Sequence, residues 1–158
     1  MIPNANAFGH VAWQRAGGIR RGSGYELRPG SRSFGRSVAT PIASLCHPAR
    51  SAAFDVVLMS YISGSVPEAI IAKLYANAYK ALKPGGRLLV HDFMVNDSLD
   101  GPALGALWAL QHVTVNADGL GLCPAEIISR MGDGGFDTSK CETMEMIHNM
   151  TKLIVAHK

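Results

Sequence analysis

The sequence predicts an α/β fold over residues 54–158, built on a parallel sheet whose last strand runs antiparallel. Two short runs, FDVVLMS at residues 54–60 and RLLVHDF at residues 87–93, are centred on consecutive apolar residues. Such runs are typical of strands that are buried on both faces of a parallel sheet. A helical stripe of apolar residues lies between the two runs, and a crossover helix is the usual connection between parallel strands.

The elements follow one another in the order β-α-β-α-α-β-β. The first helix begins at Pro67, places its apolar side chains at helical spacing, and ends before a Pro-Gly-Gly turn at residues 84–86. A proline also begins the second helix, and glycine-containing turns end the second and third helices. The last two strands alternate or cluster apolar residues on either side of a short turn. The predicted elements after the first strand are helix 67–82, strand 87–93, helix 102–115, helix 125–131, and strands 141–146 and 151–156.

Residues 1–50 differ in composition from the rest of the chain. They hold seven arginines, no lysine, no aspartate and one glutamate, Glu26, whereas residues 51–158 hold eight basic and eleven acidic side chains. No helical or strand period persists in this segment, so it is predicted to be irregular. Three interpretations stay open: an organelle transit peptide, a basic arm that binds nucleic acid, or a stretch that arises from a misplaced start, a frameshift or a truncated gene. Because the segment lacks lysine and so the mixture of lysine and arginine expected of a nucleic-acid surface, we favour the third interpretation, in which residues 1–50 are not a native domain.

The composition also argues against several classes of protein. The chain has no run of 18 or more apolar residues, and its start has no basic stretch followed by an apolar one. These features argue against a membrane span and a secretory signal, so a cytoplasmic location is expected. The three cysteines, Cys46, Cys123 and Cys141, are far apart and form no CxxC pair, so neither a disulfide nor a metal site is expected.

The phrase YKALKPGGRLLVHDF, at residues 79–93, joins the first helix to the second strand through a tight reversal. Its glycines supply the positive φ that such a reversal needs. The phrase resembles the signature that precedes the fifth strand of class I S-adenosylmethionine-dependent methyltransferases. With the FDVVLMS strand, the DFMVND loop, the GF turn at residues 135–136 and the terminal strand pair, residues 54–158 resemble the C-terminal part of the caffeate-type O-methyltransferase family.

This resemblance implies the second half of a Rossmann-like methyltransferase sheet. It also implies methyltransferase chemistry, S-adenosylmethionine as the cofactor and a small molecule as the methyl acceptor. Neither nucleic acid nor a membrane is an expected partner, and full-length members of the family are expected to be homodimers.

Parts of the family pattern are not recognised in residues 1–50. The family binds its cofactor with a Gly-rich loop after the first strand and an acidic residue that holds the ribose. The GSG at residues 22–24 follows no predicted strand, and Glu26 is the one acid in this segment. The family's N-terminal dimerisation domain is not recognised either. The sequence therefore predicts a truncated chain with about half of a cofactor site. The alternative is a catalytically inactive remnant or an interaction subunit.

The expected site lies where the first two strands end, because ligands of open α/β sheets bind at the carboxyl ends of the strands. In the caffeate-type family, a lysine near the cofactor falls on Ser60, and a histidine that acts as general base falls on Gly64. The family's acidic residue after the fifth strand falls on Asp92, whereas a further glutamate falls on Leu122. The resemblance therefore retains one acid and lacks the base.

A missing base has two explanations. Either the protein is inactive, or its methyl acceptor needs no deprotonation. A thioether sulfur is nucleophilic and carries no proton, so its methylation depends on positioning and desolvation more than on base catalysis. The bacterial methylthiohydroxybutyrate S-methyltransferases of dimethylsulfoniopropionate synthesis are enzymes of this kind, and the sequence resembles them. A thioether acceptor is therefore preferred over a hydroxyl.

Four residues at the strand ends are candidates for the site. Asp92 is the predicted catalytic residue, although an acid after a buried strand also suits capping of the next helix. Ser60 and Tyr61 are predicted to contact the cofactor, and simple packing is the alternative for Tyr61. His91 is interpreted as a polar residue of the strand end and not as a proton carrier.

The predicted substrate-binding residues lie on the second helix. Trp108, His112 and Asn116 are four residues apart and share one face. A tryptophan in such a stripe is commonly part of the core, whereas polar groups at the next two positions are unusual for a core face. We therefore predict that this face lines the substrate pocket.

Overall fold

A computed structural model describes residues 10–14, 38–39, 51–113 and 122–158. These residues form one mixed sheet and three α-helices. The strands are β1 (His10–Gln14), β2 (Val38–Ala39), β3 (Phe54–Ser60), β4 (Leu82–Asp92), β5 (Glu142–Met146) and β6 (Thr151–His157), and the helices are α1 (Glu68–Ala81), α2 (Ala103–Val113) and α3 (Pro124–Asp133). None of the described helices is long and apolar enough to cross a membrane.

The sheet confirms the predicted α/β fold. Its strand order is β2-β1-β3-β4-β6-β5. Strands β3 and β4 are parallel and joined by the crossover helix α1, and β6 lies antiparallel between β4 and β5. The two strands occupy the middle of the sheet, with one face fully buried and the alternate side chains, such as Leu58 and Leu89, half-buried.

The register of the central strands determines which residues meet at their carboxyl ends. Ser60 lies beside His91 on β4, and Asp92 lies beside Lys152 on β6. The end of β3 is therefore level with the end of β4.

Strands β1 and β2 lie in the segment for which the sequence predicted irregular structure. Strand β1 pairs antiparallel with β3, and β2 pairs antiparallel with β1. These seven residues are regular structure in a segment that the sequence predicts to be mostly irregular, because a five-residue strand that follows an existing strand edge needs no long hydrophobic period. The pairing is antiparallel, unlike the parallel strand of a cofactor-binding half. The rest of residues 1–50 lies outside the described part, and the interpretation of this segment as non-native stays a prediction.

The Pro-Gly-Gly turn explains why β4 begins five residues earlier than the sequence predicted. Helix α1 ends at Ala81, and the pairing with β3 begins at once at Leu82 and shifts register before it continues. Gly85 has φ of +76°, and a Cβ on Gly86 would lie 2.9 Å from the Lys83 carbonyl oxygen. Both positions therefore need glycine, because the chain reverses within contact distance of its own backbone.

The core lies between the sheet and helices α1 and α3. The largest fully buried side chains include three on α1, namely Ile71, Leu74 and Tyr75. They pack with the apolar residues of the central strands in one continuous cluster. Phe136, in the predicted GF turn after α3, contacts Tyr79 of α1 edge to face with ring centroids 5.1 Å apart. This contact joins the two helices on one face of the sheet.

Candidate active site

The candidate site is built where β3 and β4 end side by side. The chain leaves β3 at Tyr61, whose φ of +56° is unusual for an aromatic residue. The Tyr61 backbone N–H donates to the His91 carbonyl oxygen at 2.9 Å, so the turn starts level with the end of β4. A 3₁₀ turn over Ser63–Ser65 follows and folds back over the strand end. This turn brings Tyr61 and Ser63 to the end of β4, where Ser63 contacts Asp92, whereas Ser60 lies beside His91.

Asp92 is the buried acid of the site. Its residue is 0% exposed, and its carboxylate accepts hydrogen bonds from the backbone N–H of Ser63 at 3.2 Å and of Phe93 at 2.9 Å. Burial raises the pKa of Asp92 to about 7, because the charged form loses its hydration. Hydrogen bonds from the two backbone groups and from the Trp108 side chain lower the pKa and offset part of this shift. Burial therefore shifts the carboxyl group toward its protonated form relative to an exposed aspartate.

A second buried polar contact connects the 3₁₀ turn to helix α1. The Ser63 hydroxyl lies 3.2 Å from the Tyr75 hydroxyl, and both residues are almost fully buried. Burial raises the pKa of Tyr75, and the charge of Asp92 raises it further. Tyr75 thus stays a neutral phenol, and Ser63 connects helix α1 to the carboxylate of Asp92.

His91 is held between two hydroxyl groups. Its Nδ1 lies 3.1 Å from the Ser60 hydroxyl, and its Nε2 lies 3.1 Å from the Thr151 hydroxyl on β6. Burial lowers the pKa of His91, so the imidazole is neutral near pH 7. A neutral imidazole has one donor and one acceptor nitrogen, and both nitrogens here have a hydroxyl partner. This geometry agrees with the interpretation of His91 as a polar residue of the strand end.

Three aromatic rings lie next to Asp92. Phe93 and Trp108 have ring centroids 4.7 Å apart, and Tyr61 lies 5.3 Å from Phe93 and 6.1 Å from Trp108. All three residues are half-buried. Trp108 reaches the cluster from α2, across the loop that follows β4. We call these three residues the aromatic cluster.

The structure brings together three of the six residues that the sequence singled out, Tyr61, Asp92 and Trp108, and it places Ser60 at the same strand end with its hydroxyl on His91. The side chain of His112 and all of Asn116 lie outside the described residues. The structure does not test the catalytic, cofactor-binding or substrate-binding roles assigned to these six residues, so those roles stay predictions.

The resemblance implied that a base is missing at Gly64 and an acid at Leu122, and the structure describes both residues. Gly64 lies buried in the 3₁₀ turn. Leu122 is a core residue, and its carbonyl oxygen accepts a hydrogen bond from the Val95 N–H at 2.8 Å. Leu122 therefore joins the start of α3 to the loop after β4 and contributes no charge.

The sequence did not single out Ser63, Phe93 or Tyr75. Phe93 directly follows Asp92, so the sequence alone could have predicted its position at the strand end. The contacts of Ser63 and Tyr75 depend on the positive φ of Tyr61, for which the sequence gives no signal.

Taken together, these groups favour binding over proton removal. Asp92 is sealed from solvent, His91 has both nitrogens in hydrogen bonds, and burial raises the pKa of Tyr61 with a further contribution from Asp92. Within the described part of the chain, no three potential metal ligands come together. The site combines a buried acid with half-exposed aromatic surface.

Comparisons with known proteins agree with this architecture. No protein-family model matches the chain. The chain is 33% identical over 79 residues to the tetracenomycin polyketide synthesis 8-O-methyl transferase TcmO of Streptomyces glaucescens, a match that covers 50% of this chain and 22% of TcmO. A candidate O-methyltransferase of Nostoc punctiforme superposes with a TM-score of 0.64 at 23% identity, over 72% of this chain and 34% of that protein. Human N-acetylserotonin methyltransferase, solved in complex with S-adenosylmethionine, superposes with a TM-score of 0.58 at 21% identity, over 66% of this chain and 29% of that protein.

The chain thus spans about a fifth of the length of TcmO and about a third of the length of the two solved structures. Within that span, its described residues have the fold of the C-terminal half of a Rossmann-like methyltransferase.

Proposed function

We propose that this chain supplies the second half of the active site of an S-adenosylmethionine-dependent methyltransferase that acts on a small molecule. We further propose that the acceptor is a thioether sulfur in preference to a hydroxyl. The observation that carries the proposal is the buried Asp92 next to Tyr61, with Ser60 at the same strand end, at the carboxyl ends of parallel strands in a methyltransferase fold. Ligands of open α/β sheets bind at this end of the strands.

Each candidate residue has a proposed role in this site. Ser60 and Tyr61 line the side of the pocket that faces the cofactor, and Asp92, the proposed catalytic acid, acts by holding the Ser63 turn and the Phe93 backbone that position the reacting groups. Trp108, with His112 and Asn116 on the same helix face, lines the acceptor side. The Gly-rich loop and the ribose acid of the cofactor site are not among the described residues, and in this proposal they belong to the other half of the site.

The preference for sulfur follows from where the electrons and protons go during methyl transfer. The methyl carbon leaves the sulfonium sulfur of S-adenosylmethionine, which keeps the bonding electron pair, and a lone pair of the acceptor forms the new bond. A thioether then becomes a sulfonium ion, and no proton is released. A hydroxyl acceptor must lose its proton to a base, and general-base assistance is worth about 10² to 10⁴ in rate.

The groups at this site are poor candidates for that base. The carboxylate of Asp92 is sealed and accepts two backbone hydrogen bonds, and both nitrogens of His91 have hydroxyl partners. Burial raises the pKa of Tyr61, so its phenolate is disfavoured near pH 7. Gly64 stands where the caffeate-type family has its histidine. These features support an acceptor that needs no deprotonation.

The finer form of the proposal concerns the acceptor. The sequence resembles the methylthiohydroxybutyrate S-methyltransferase of bacterial dimethylsulfoniopropionate synthesis, so we propose a small thioether acid as the acceptor class. We also propose that the chain is a truncated member of its family and that the full-length protein is a homodimer. A catalytically inactive remnant or an interaction subunit is the rival function.

The test joins residues 54–158 to the cofactor-binding half of the Nostoc punctiforme relative and measures transfer of a labelled methyl group to a small thioether acid. In the joined protein, Asp92→Ala is expected to lower kcat/KM at least about tenfold, because a buried group that orients reactants contributes on that scale or more. The matched control is Asp133→Ala, an exposed acid at the end of α3. No labelled product with any acceptor, while the unmodified relative stays active, would instead support the non-catalytic rival.

A further inference from the structure

We propose that strand β5 is a self-association surface, on which a second copy of this chain pairs antiparallel about a two-fold axis through Met144. The pairing joins the sheets of the two copies into one continuous sheet. It needs neither the cofactor nor a methyl acceptor, so it does not rest on the proposed function. It is also separate from the N-terminal dimerisation domain that the family resemblance implies.

Strand β5 lies at one edge of the sheet. It pairs with β6 on one side, and no described strand pairs with its other side. All five of its residues are exposed, so no described helix or loop covers either face of the strand. The backbone N–H and C=O groups that point away from β6 can therefore pair with another strand, as in recognition by strand addition.

The exposed side chains at this edge are partly apolar. Met144 is 41% exposed, Met146 is 38% exposed, and Ile147, directly after the strand, is 59% exposed. Met144 and Met146 lie on the same face, because side chains alternate along a strand. Natural proteins usually avoid apolar side chains beside an unpaired strand edge, and methionine is a common interface residue that adapts its shape to a partner. A partner strand explains both features.

The sequence of the strand, ETMEM, is compatible with pairing to itself. A two-fold axis normal to the sheet passes through a residue, because residues directly opposite point to the same face. Only the register centred on Met144 pairs all five residues of β5. It places Glu142 opposite Met146 of the second copy. Thr143 then lies opposite Glu145 of that copy, so no two carboxylates are directly opposed.

The charge on Glu145 also favours a second copy. The Lys152 ammonium on β6 donates to the Glu145 carboxylate, and Lys152 is 2% exposed. Glu145 therefore has a cationic partner within its own copy, which reduces its repulsion from the diagonally placed Glu145 of the second copy. The hydroxyl of Thr143 lies opposite and can donate to the same carboxylate. The competing occupant is another segment of the same chain, which would keep the chain monomeric.

The test measures sedimentation velocity of the full chain over a range of concentrations. We expect a monomer–dimer equilibrium with Kd on the order of 100 µM, because five-residue strands bury less surface than a standard interface. No species larger than a dimer is expected, since the two-fold contact uses the edge of both copies. A chain that stays monomeric well above this concentration would overturn the proposal.

Two lysine substitutions locate the interface. Met144→Lys places two ammonium groups opposite each other at the axis and should raise the Kd at least about fivefold. Leu107→Lys is the matched control and should leave the Kd unchanged, because Leu107 is 62% exposed but lies on α2. Circular dichroism checks the fold of each variant. An undiminished dimer in folded Met144→Lys, or an equal loss in both variants, would contradict the assignment to β5.

Cysteine cross-linking tests the register without changing the charge. Cys46, Cys123 and Cys141 are first replaced by serine. In this background, Met144→Cys places two Cα atoms about 4.5–5.5 Å apart across the axis, which is within the range of a disulfide. Met146→Cys is the control, because its two copies lie on opposite sides of the axis and too far apart. Mild oxidation above the Kd should link the first variant into a covalent dimer and leave the second monomeric. Equal cross-linking of the two variants, or none in Met144→Cys, would overturn the proposal.

Discussion

The charged side chains at the two ends of strand β4 have different partners. At its amino end, the Lys83 ammonium lies 2.9 Å from both carboxylate oxygens of Asp55, and the Lys158 ammonium donates to the carbonyl oxygens of Tyr79 and Leu82 at 2.6 and 2.7 Å. At its carboxyl end, Asp92 is fully buried, and burial raises its pKa to about 7.

We interpret the amino end as structural and propose that the carboxyl end is functional. The charged groups at the amino end have partners of opposite charge or polarity. These contacts attach Lys158 to the end of α1 and the start of β4. The carboxyl end holds an acid that is unfavourable to ionise, next to half-exposed aromatic rings. Perturbed acids in such positions are candidates for functional sites, because stability alone gives no reason to bury them.

The largest effect should come from the acid at the carboxyl end. The folded-state pKa of Asp92 is about 7, above its reference value of 3.8, so between these values the folded state holds a proton that the unfolded state has lost. Stability therefore falls as pH rises through this window, by about 2–3 kcal/mol between roughly pH 5 and pH 8. Urea denaturation at several pH values measures this loss.

The matched variants isolate the contribution of Asp92. In Asp92→Asn the position no longer titrates, so the decline in the free energy of unfolding should flatten relative to the original chain. Asp133→Asn, which changes an exposed acid, should leave the decline unchanged. Parallel pH profiles for the original chain and Asp92→Asn would mean that the raised pKa is not real.

The next largest effect should come from the amino end. Lys158→Met keeps the apolar stem of the side chain but loses two charge-assisted hydrogen bonds to the end of α1 and the contact with the Tyr79 ring, whose centroid lies 4.7 Å from the ammonium. We expect a loss of about 2 kcal/mol in the free energy of unfolding, because bonds of this kind are worth roughly 1.5–3 kcal/mol each and part of the loss is recovered from water.

A second lysine provides the control for this loss. Lys140 pairs with Asp137 at 2.9 Å, but its side chain is 70% exposed. Lys140→Met should leave the urea midpoint unchanged, because exposed ion pairs contribute little. Equal destabilisation by the two substitutions would show that the amino end is not held by Lys158.

The sequence predicted most of the described fold after residue 54. The apolar runs of β3 and β4 are short and lie on either side of a helical stripe, which predicts two parallel strands joined by a crossover helix; the structure buries one face of each strand and half-buries the other. The breakers between elements also fall where helices end, as the Pro-Gly-Gly turn after α1 does. The early start of β4 was not predictable, because Leu82 pairs with Phe54 ahead of the Pro-Gly-Gly turn and the pairing with β3 resumes only at Arg87. Strand β1 was missed because five residues are too few for a period to stand out.

The sequence could predict the part of the site that lies directly at the ends of β3 and β4. Ser60, Tyr61 and Asp92 lie at one strand end because parallel strands end at the same edge of a sheet. The support of Asp92 by Ser63 was not predictable, because it depends on a positive φ at Tyr61, a conformation that tyrosine disfavours. The cluster with Phe93 and Trp108 depends on how α2 packs over the strand end, which is a tertiary contact with no signal in the local sequence.

The most direct measurement of the central claim is the choice of acceptor by the joined protein. Labelled S-adenosylmethionine is offered with a small thioether acid and, separately, with the matching hydroxy acid, and kcat/KM is compared across neutral pH. We predict that sulfur is methylated at least about tenfold faster, a difference of about 1.4 kcal/mol in transition-state free energy, because only the hydroxyl needs a base. Equal rates, or faster methylation of the hydroxyl, would contradict the assignment of this strand end to a thioether methyltransferase.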